Sequence, residues 1–193
     1  MLVLTWSVGD DLVGSLVRRE AEGLARRGFR VAVLHPSSAE GELHLGGVSY
    51  YSVALTVRER MNVVTSVLTA LPDFARVASR LIHEALDPRE IAALYSHEWT
   101  GGLLGCLMKS CLRRPLVTSL CSVESMRSRE AGLLNLSIRG LELLALHHSD
   151  LVIARSREVA ARAMGEYKVP SDRVRIAEGA EEAVDIVGGY LGR

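Results

Sequence analysis

Seven short apolar runs recur along the chain, each separated from the next by a longer stretch of different period. They are MLVLTW (1 to 6), RVAVLHP (30 to 36), VSYYSVAL (48 to 55), IAALYS (91 to 96), PLVTSL (115 to 120), DLVIAR (150 to 155) and RVRIAE (173 to 178). A strand that is apolar at consecutive positions is buried on both faces, as in a parallel sheet covered by helices on both sides. Between the first two runs, Leu12, Leu16, Ala21, Leu24 and Ala25 mark one helical face, and Gly28 follows as a stop. That is a βαβ unit. Gly23 inside this helix costs about 1 kcal/mol against alanine, which is consistent with close packing on the sheet.

Further helices are expected over about 100 to 112, 130 to 147, 157 to 167 and 181 to 191. Residues 57 to 86 read as two helices meeting at Pro72, because proline lacks a donor and disfavours helix at the preceding residue. The alternation predicts an α/β fold, a single doubly wound and mostly parallel Rossmann-like sheet flanked by helices. No repeat, linker or low-complexity stretch interrupts it.

The 193-residue chain is 48% hydrophobic and 5% aromatic, which suits one aliphatic core. Lys plus Arg and Asp plus Glu balance at 23 each, so no basic field favours nucleic acid or anionic lipid. Cys106, Cys111 and Cys121 lack a CxxC pattern and read as reduced thiols of a cytoplasmic protein, with no metal site. The amino terminus has no basic region of a signal peptide, and no apolar run reaches the roughly 18 residues of a membrane span. The absence of glutamine, two asparagines and the preference for arginine over lysine fit a thermophile or a GC-rich genome.

In doubly wound sheets ligands bind beyond the carboxyl ends of the strands, at the switch point where successive crossovers diverge. Two loops therefore matter most, Ser7 to Ser15 and Ser96 to Gly102, flanked by Cys121 to Arg127. The first has phosphate-loop glycine spacing from Gly9 to Gly14 but no lysine, so that match is rejected. Asp10 or Asp11 is more simply an N-cap, and its charge opposes a phosphate there. Gly9 and Gly14 still allow a ligand close to the backbone.

The second loop sets His97, Glu98, Trp99 and the Gly101-Gly102 pair at a strand-to-helix junction. Two readings stay open: His97 as a satisfied turn residue with Trp99 as a core plug, or both as ligand contacts. Glu98 does not open a zinc-protease HExxH helix, since Gly101 stands three positions on. Glu124 and Arg127 either pair with each other or bind a polar ligand. His147 and His148 end a helix, where the dipole favours a cation. With no GxSxG and no nucleophile and base pair, hydrolase chemistry has no support.

In order and spacing, these segments resemble the amino-terminal domain of family 4 retaining glycosyltransferases with the GT-B fold, the group that includes glycogen synthases. The segment YSHEWTGGLLGCLMKSCLRRPLVTS is similar to the family's H-D-W segment with its helix, basic stretch, proline and strand. LELLALHHSDLVIARS resembles its Glu-helix-Asp-strand-Ser pattern through Glu142, Asp150 and Ser156, and YKVPSDRVRIAEGAEE resembles the stretch leading to the second domain. The resemblance implies residues 1 to 180 as a GT-B amino-terminal domain and 181 to 193 as a linker-type terminal helix. Its implied donor-phosphate loop holds Gly9, Gly14 and Ser15, and its implied substrate contacts are His97, Glu98, Trp99, Cys121, Glu124 and Arg127. Trp99 would stack on a sugar and His97 would bond its hydroxyls.

Several positions depart from the pattern. Asp11 and Leu12 stand where the family has a double glycine, Cys121 where it has histidine, and Ala177 to Glu181 where it has Pro-Asn-Gly-Val-Asp. The second domain, which carries the cations for the nucleotide sugar, is absent from this sequence. The expectation is an acceptor-side half of a hexosyltransferase, inactive in isolation. Its implied substrates are a nucleotide sugar and a saccharide acceptor, with no cofactor, and its partner a separate donor-domain subunit or a second copy. A non-catalytic binding or regulatory domain is the alternative. An exposed strand edge bearing Trp99, Val123 and Met126 would promote self-association.

Overall fold

A computed structural model describes residues 1–57, 62–128 and 132–192. Eight strands form one sheet: β1 (Leu2–Leu4), β2 (Val31–Ser37), β3 (Gly41–Leu45), β4 (Val48–Ala54), β5 (Leu94–His97), β6 (Leu116–Leu120), β7 (Leu151–Ala154) and β8 (Val174–Ile176). Their order is β3-β4-β2-β1-β5-β6-β7-β8, parallel throughout except for β3. The helices are α1 (Leu12–Arg26), α2 (Val63–Glu84), α3 (Glu98–Leu112), α4 (Glu124–Arg127), α5 (Leu133–His148), α6 (Arg157–Gly165) and α7 (Ala180–Tyr190). β1 pairs with β2 on one side and β5 on the other, which places the switch point at the ends of β1 and β5.

Alternate residues of each apolar run supply opposite faces. Val3, Val33, Tyr95, Val117 and Ile153 pack with Val17, Ala21 and Leu24 of α1 and with Val184 and Val187 of α7. Leu2, Leu4, Leu34, Leu94 and Leu116 pack with Phe74, Val77 and Leu81 of α2 and with Leu104 and Met108 of α3. A third cluster joins Leu120, Val152 and Ala154 to Val159, Ala160 and Ala163 of α6. The terminal helix folds back on the domain. Ala183, Val184 and Val187 are buried, while Glu181 pairs with Arg26 (2.6 Å) and Arg27 (3.3 Å), and Asp185 with Arg27. Gly23 is tight against this helix, since a Cβ there would stand 3.0 Å from Val184 Cγ2; its close neighbour is α7, not the sheet.

Two expected boundaries are corrected. Pro72 lies inside one continuous helix, α2, instead of between two. Val67, Ala70, Phe74, Val77 and Leu81 bury one face across the proline. Asp73 also accepts hydrogen bonds from Thr56 N (2.8 Å) and Oγ1 (2.6 Å) beyond β4. This anchorage outweighs the lost backbone bond. The helix starts at Val63, capped by Asn62, which accepts from Thr65 N at 3.0 Å; residues 58 to 61 lie outside the described residues. Similarly, α5 starts at Leu133, and the expected start at 130 also falls outside them.

The strand β3 was not expected. All five of its residues are exposed, so Leu43 and Leu45 give no apolar run. Gly46 and Gly47, with φ of +60° and +77°, make the two-residue turn into β4.

Candidate functional site

The strand order brings the ends of β1, β5, β6 and β7 side by side, with the three expected loops along one edge. The first loop is closed on itself. Asp11 caps α1 by accepting from Gly14 N (2.8 Å), and it also accepts from the Ser7 hydroxyl. Those bonds hold its carboxyl below the ordinary pKa, the Ser7 bond foremost. Gly9 N donates to Ser7 Oγ (3.3 Å), and Ser15 N to Asp11 O (2.9 Å). Arg18 reaches Val8 O (3.0 Å) and Asp10 (2.9 Å). A Cβ on Gly14 would overlap the backbone of Gly9, so this glycine lets the loop lie against the helix. The N-terminal amide of Gly14 is thus occupied by a carboxylate of the chain itself.

At the second loop the side-chain directions follow the strand period. His97 shares the face of Tyr95, which turns its imidazole inward: it is 2% exposed, its ring centroid lies 4.7 Å from that of Tyr95, and Nε2 lies 3.5 Å from Glu20. Burial, reinforced by Arg155, lowers its pKa to about 3, so it is neutral. Trp99 is 4% exposed, enclosed by Val67, Leu103 and Ile138. The expected stacking of Trp99 and hydrogen bonding of His97 to a sugar are therefore corrected, because neither ring is presented to the edge. Gly101 and Gly102 are steric. A Cβ on Gly101 would overlap Leu4 O, and one on Gly102 would stand 2.7 Å from Ala145 Cβ. They let α3 approach β1 and α5.

Glu98 does line the edge. It opens α3 with φ of 58°, left-handed backbone that costs a non-glycine residue about 1 kcal/mol. In this position its carboxylate accepts from Cys121 N and lies 3.5 Å from Arg127. Arg127 also meets Glu124 at 3.1 Å and pairs with Glu142. Glu142 accepts from Glu124 N (2.9 and 3.0 Å) and from the Tyr167 hydroxyl, and Glu124 accepts from Asn135 Nδ2 (2.6 Å). One cation thus stands among three carboxylates. Burial raises the pKa of Glu98 and of Glu142 against the opposing pull of these partners, while the carboxylates hold Arg127 above its ordinary value despite its burial. Cys121 at the end of β6 is pushed up to about 12 by burial and by Glu98.

Behind His97 lies a polar group that sequence reasoning missed. Glu20 of α1 pairs with Arg155, which follows β7, and accepts from the Tyr95 hydroxyl. Arg155 also donates to Ser119 Oγ (3.0 Å), Ala177 O (3.3 Å) and Gly179 O (3.1 Å), fastening the turn into α7. Glu20 sits among Val17, Ala21 and Leu24 on the apolar face of α1, and that position was its signal. The patterned residues are structural: Asp150 accepts from Leu116 N (2.8 Å) and Lys109 (2.7 Å), and Ser156 caps α6. Val123, expected on an exposed edge, is fully buried. Among the described residues no group of three or more His, Cys, Asp or Glu could hold a metal ion, and no helix is long and apolar enough to cross a membrane.

The sequence profile of Glycosyltransferase Family 4 matches residues 13–178. The chain belongs to that family. No curated protein sequence matches it. Among solved structures, a domain of the sucrose-phosphate synthase from Thermosynechococcus elongatus is similar over 100% of this chain and 98% of its own (TM-score 0.68, 14% identity). The longer structure of that synthase is similar over 91% of this chain and 47% of its own (0.71, 16%). Anabaena HepE, solved with UDP and glucose, is similar over 91% and 43% (0.61, 17%). This glycosyltransferase domain therefore has the Rossmann-like fold of a GT-B amino-terminal half, and it spans about half the length of these longer relatives.

Proposed function

We propose that this family 4 domain is the acceptor-side half of a hexosyltransferase of glycogen synthase type, which moves a sugar from a nucleotide sugar to a saccharide. The family match over residues 13–178 carries the reading, and a relative of the same fold solved with UDP and glucose supports it. The contacts fall to the Gly9, Gly14 and Ser15 loop and to the wall made by Glu98, Cys121 and Arg127, with the buried Glu124 holding Arg127 from behind. Carboxylates and backbone groups there suit sugar hydroxyls, while His97 and Trp99 support the wall from inside. Stabilising a departing diphosphate needs preorganised cations. Arg18, Arg127 and Arg155 are already committed to carboxylates. We therefore assign that task to a second domain and expect no transfer by this chain in isolation, in a cytoplasmic setting.

Titration of the labelled chain with maltooligosaccharides and with UDP-glucose, read on backbone amides, tests this. Saccharide should perturb Gly9 to Ser15 and Cys121 to Arg127. Loss of the reading would follow if no saccharide moved these amides while an unrelated ligand saturated them.

One observation favours the alternative of a non-catalytic binding domain. Asp11 fills the helix terminus where a leaving phosphate would approach. Substituting Asp11→Gly separates the two: phosphate binding regained at this loop supports a transferase ancestry with a blocked donor site.

A further inference from the structure

Outside the strand-edge loops, a groove of about 630 Å³ runs between α4, α5 and α6, lined by Ser125, Arg139, Gly140, Leu143, Arg162 and Tyr167, with Glu166 at its rim. Two polar atoms in it are buried without a hydrogen-bond partner, Ser125 Oγ and Arg139 Nε. Buried donors without partners are rare and costly, and Arg139 Nε, which has no carboxylate facing it as Ser125 Oγ has, calls for a ligand or a water. Arg139 makes no ion pair among the described residues, whereas Arg162 is paired with Glu166 and lies 4.0 Å from Glu158. Glu166 is held below its ordinary pKa by Ser125 and Arg162, with Arg139 adding to the pull. The Ser125 hydroxyl faces that carboxylate without completing a hydrogen bond. Gly140 forms part of the groove wall: a Cβ there would meet nothing within 4 Å, so no packing demands this mid-helix glycine. It keeps the groove open at a cost in helix propensity.

We propose that this groove binds a phosphate-bearing small molecule, with the Arg139 guanidinium and the Ser125 hydroxyl on its phosphate and Arg162 on the facing wall. A guanidinium presents a planar fork of donors matched to phosphate oxygens, and a hydroxyl adds one more. The volume accommodates a sugar or polyol attached to the phosphate. Glu166 opposes the anion and competes for Arg162, so its charge sets the affinity. The phosphate has two possible sources, a free phosphorylated metabolite or a lipid headgroup. Leu136, Leu143 and Leu144 stand 53%, 43% and 44% exposed along the same helix and make the second worth testing.

Inorganic phosphate titrated against the full chain, read on arginine Nε–H resonances, should shift the Arg139 signal saturably. Arg139→Gln should weaken binding about tenfold or more, Ser125→Ala should weaken it less, and Glu166→Gln should tighten it several-fold. Unfolding curves of the variants identify any that fail to fold, and Glu166→Gln keeps the test decisive if Arg139→Gln does. Flotation with phosphatidylglycerol vesicles, set against phosphatidylcholine vesicles, assigns the source. Arg139-dependent capture by the former only supports the headgroup, and saturation by free phosphate without capture supports the metabolite. No saturable shift and no capture would overturn the proposal, as would phosphate binding unchanged in Arg139→Gln.

Discussion

Glu20 and Arg155, 135 residues apart, form an ion pair inside the molecule that ties α1 to the end of β7. Tyr95 completes it from β5, and Arg155 carries the tie on to the carbonyls of Ala177 and Gly179. The pair thus joins α1, β5 and the end of β7 to the turn into the helix that closes the domain. Burial raises the pKa of Glu20, and Arg155 and Tyr95 work against that rise. Removing one member leaves the other charge buried and unpaired. Arg155→Met should cost about 3–5 kcal/mol in urea unfolding, and Glu20→Gln with Arg155→Met together should cost much less than Arg155→Met. Equal losses in the single and double variants would show that packing, not charge, dominates at Arg155.

The neutral His97 makes stability depend on acid. Its pKa is about 3 in the folded chain against 6.5 ordinarily, so unfolding takes up a proton between those values. The stability it contributes is present above pH 6.5 and is lost as pH falls toward 3, at up to roughly 1.4 kcal/mol per pH unit. Glu20 works in the opposite sense, its raised pKa giving stability that is lost as pH rises. Stability measured from pH 7 to pH 4 should therefore fall less steeply in His97→Leu than in the parent. Parallel curves would mean that His97 is already charged in the fold.

Glycine substitutions should change sign with position. At Gly102 an alanine methyl would press on Ala145 at 2.7 Å, so Gly102→Ala should lose about 1–3 kcal/mol despite its better helix propensity. Gly140, in open space on α5, should gain about 0.5–1 kcal/mol as Gly140→Ala. Thermal unfolding of the two variants decides both. A stabilised Gly102→Ala would mean that α3 and α5 can move apart at little cost.

The parallel strands were legible because a strand buried on both faces is mostly apolar along its length, as in LVIA of β7; in LVTSL of β6 the buried Thr118 and Ser119 are hydrogen-bonded to Ser96, Ser149 and Arg155. β3 was not, since its alternation of Glu42, Leu43, His44 and Leu45 lies wholly in solvent. Pro72 misled for the reverse reason: a local penalty near 3 kcal/mol was outweighed by tertiary burial and by the Asp73 to Thr56 bonds. At the site, sequence order located the loops correctly but not the direction of each side chain. His97 is two residues from Tyr95 and so shares its inward face, a consequence of strand period that becomes visible only once the last strand residue is fixed. Arg155 gave no signal because its partner lies on a distant helix. The pairing of Glu124 with Arg127 was legible from their spacing, but nothing in the sequence announced that Glu98 and Glu142 converge on the same cation.

The cysteines provide a final test, because their environments differ although all three are free. Cys111 is exposed near the end of α3. Cys106, on the same helix, is pushed up to about 11 by burial, and Cys121 to about 12 by burial and by Glu98. Only the thiolate attacks an alkylating reagent, so its fraction at pH 8 falls about tenfold for each unit of pKa. Iodoacetamide should label Cys111 first, with Cys121 slowest while the chain is folded and all three equal in urea. Glu98→Gln removes the charge beside Cys121 and should speed its labelling selectively, leaving Cys106 unchanged. Fast labelling of Cys121 in the parent would place its thiol in water, and the Glu98 carboxylate would then not close the wall beside it.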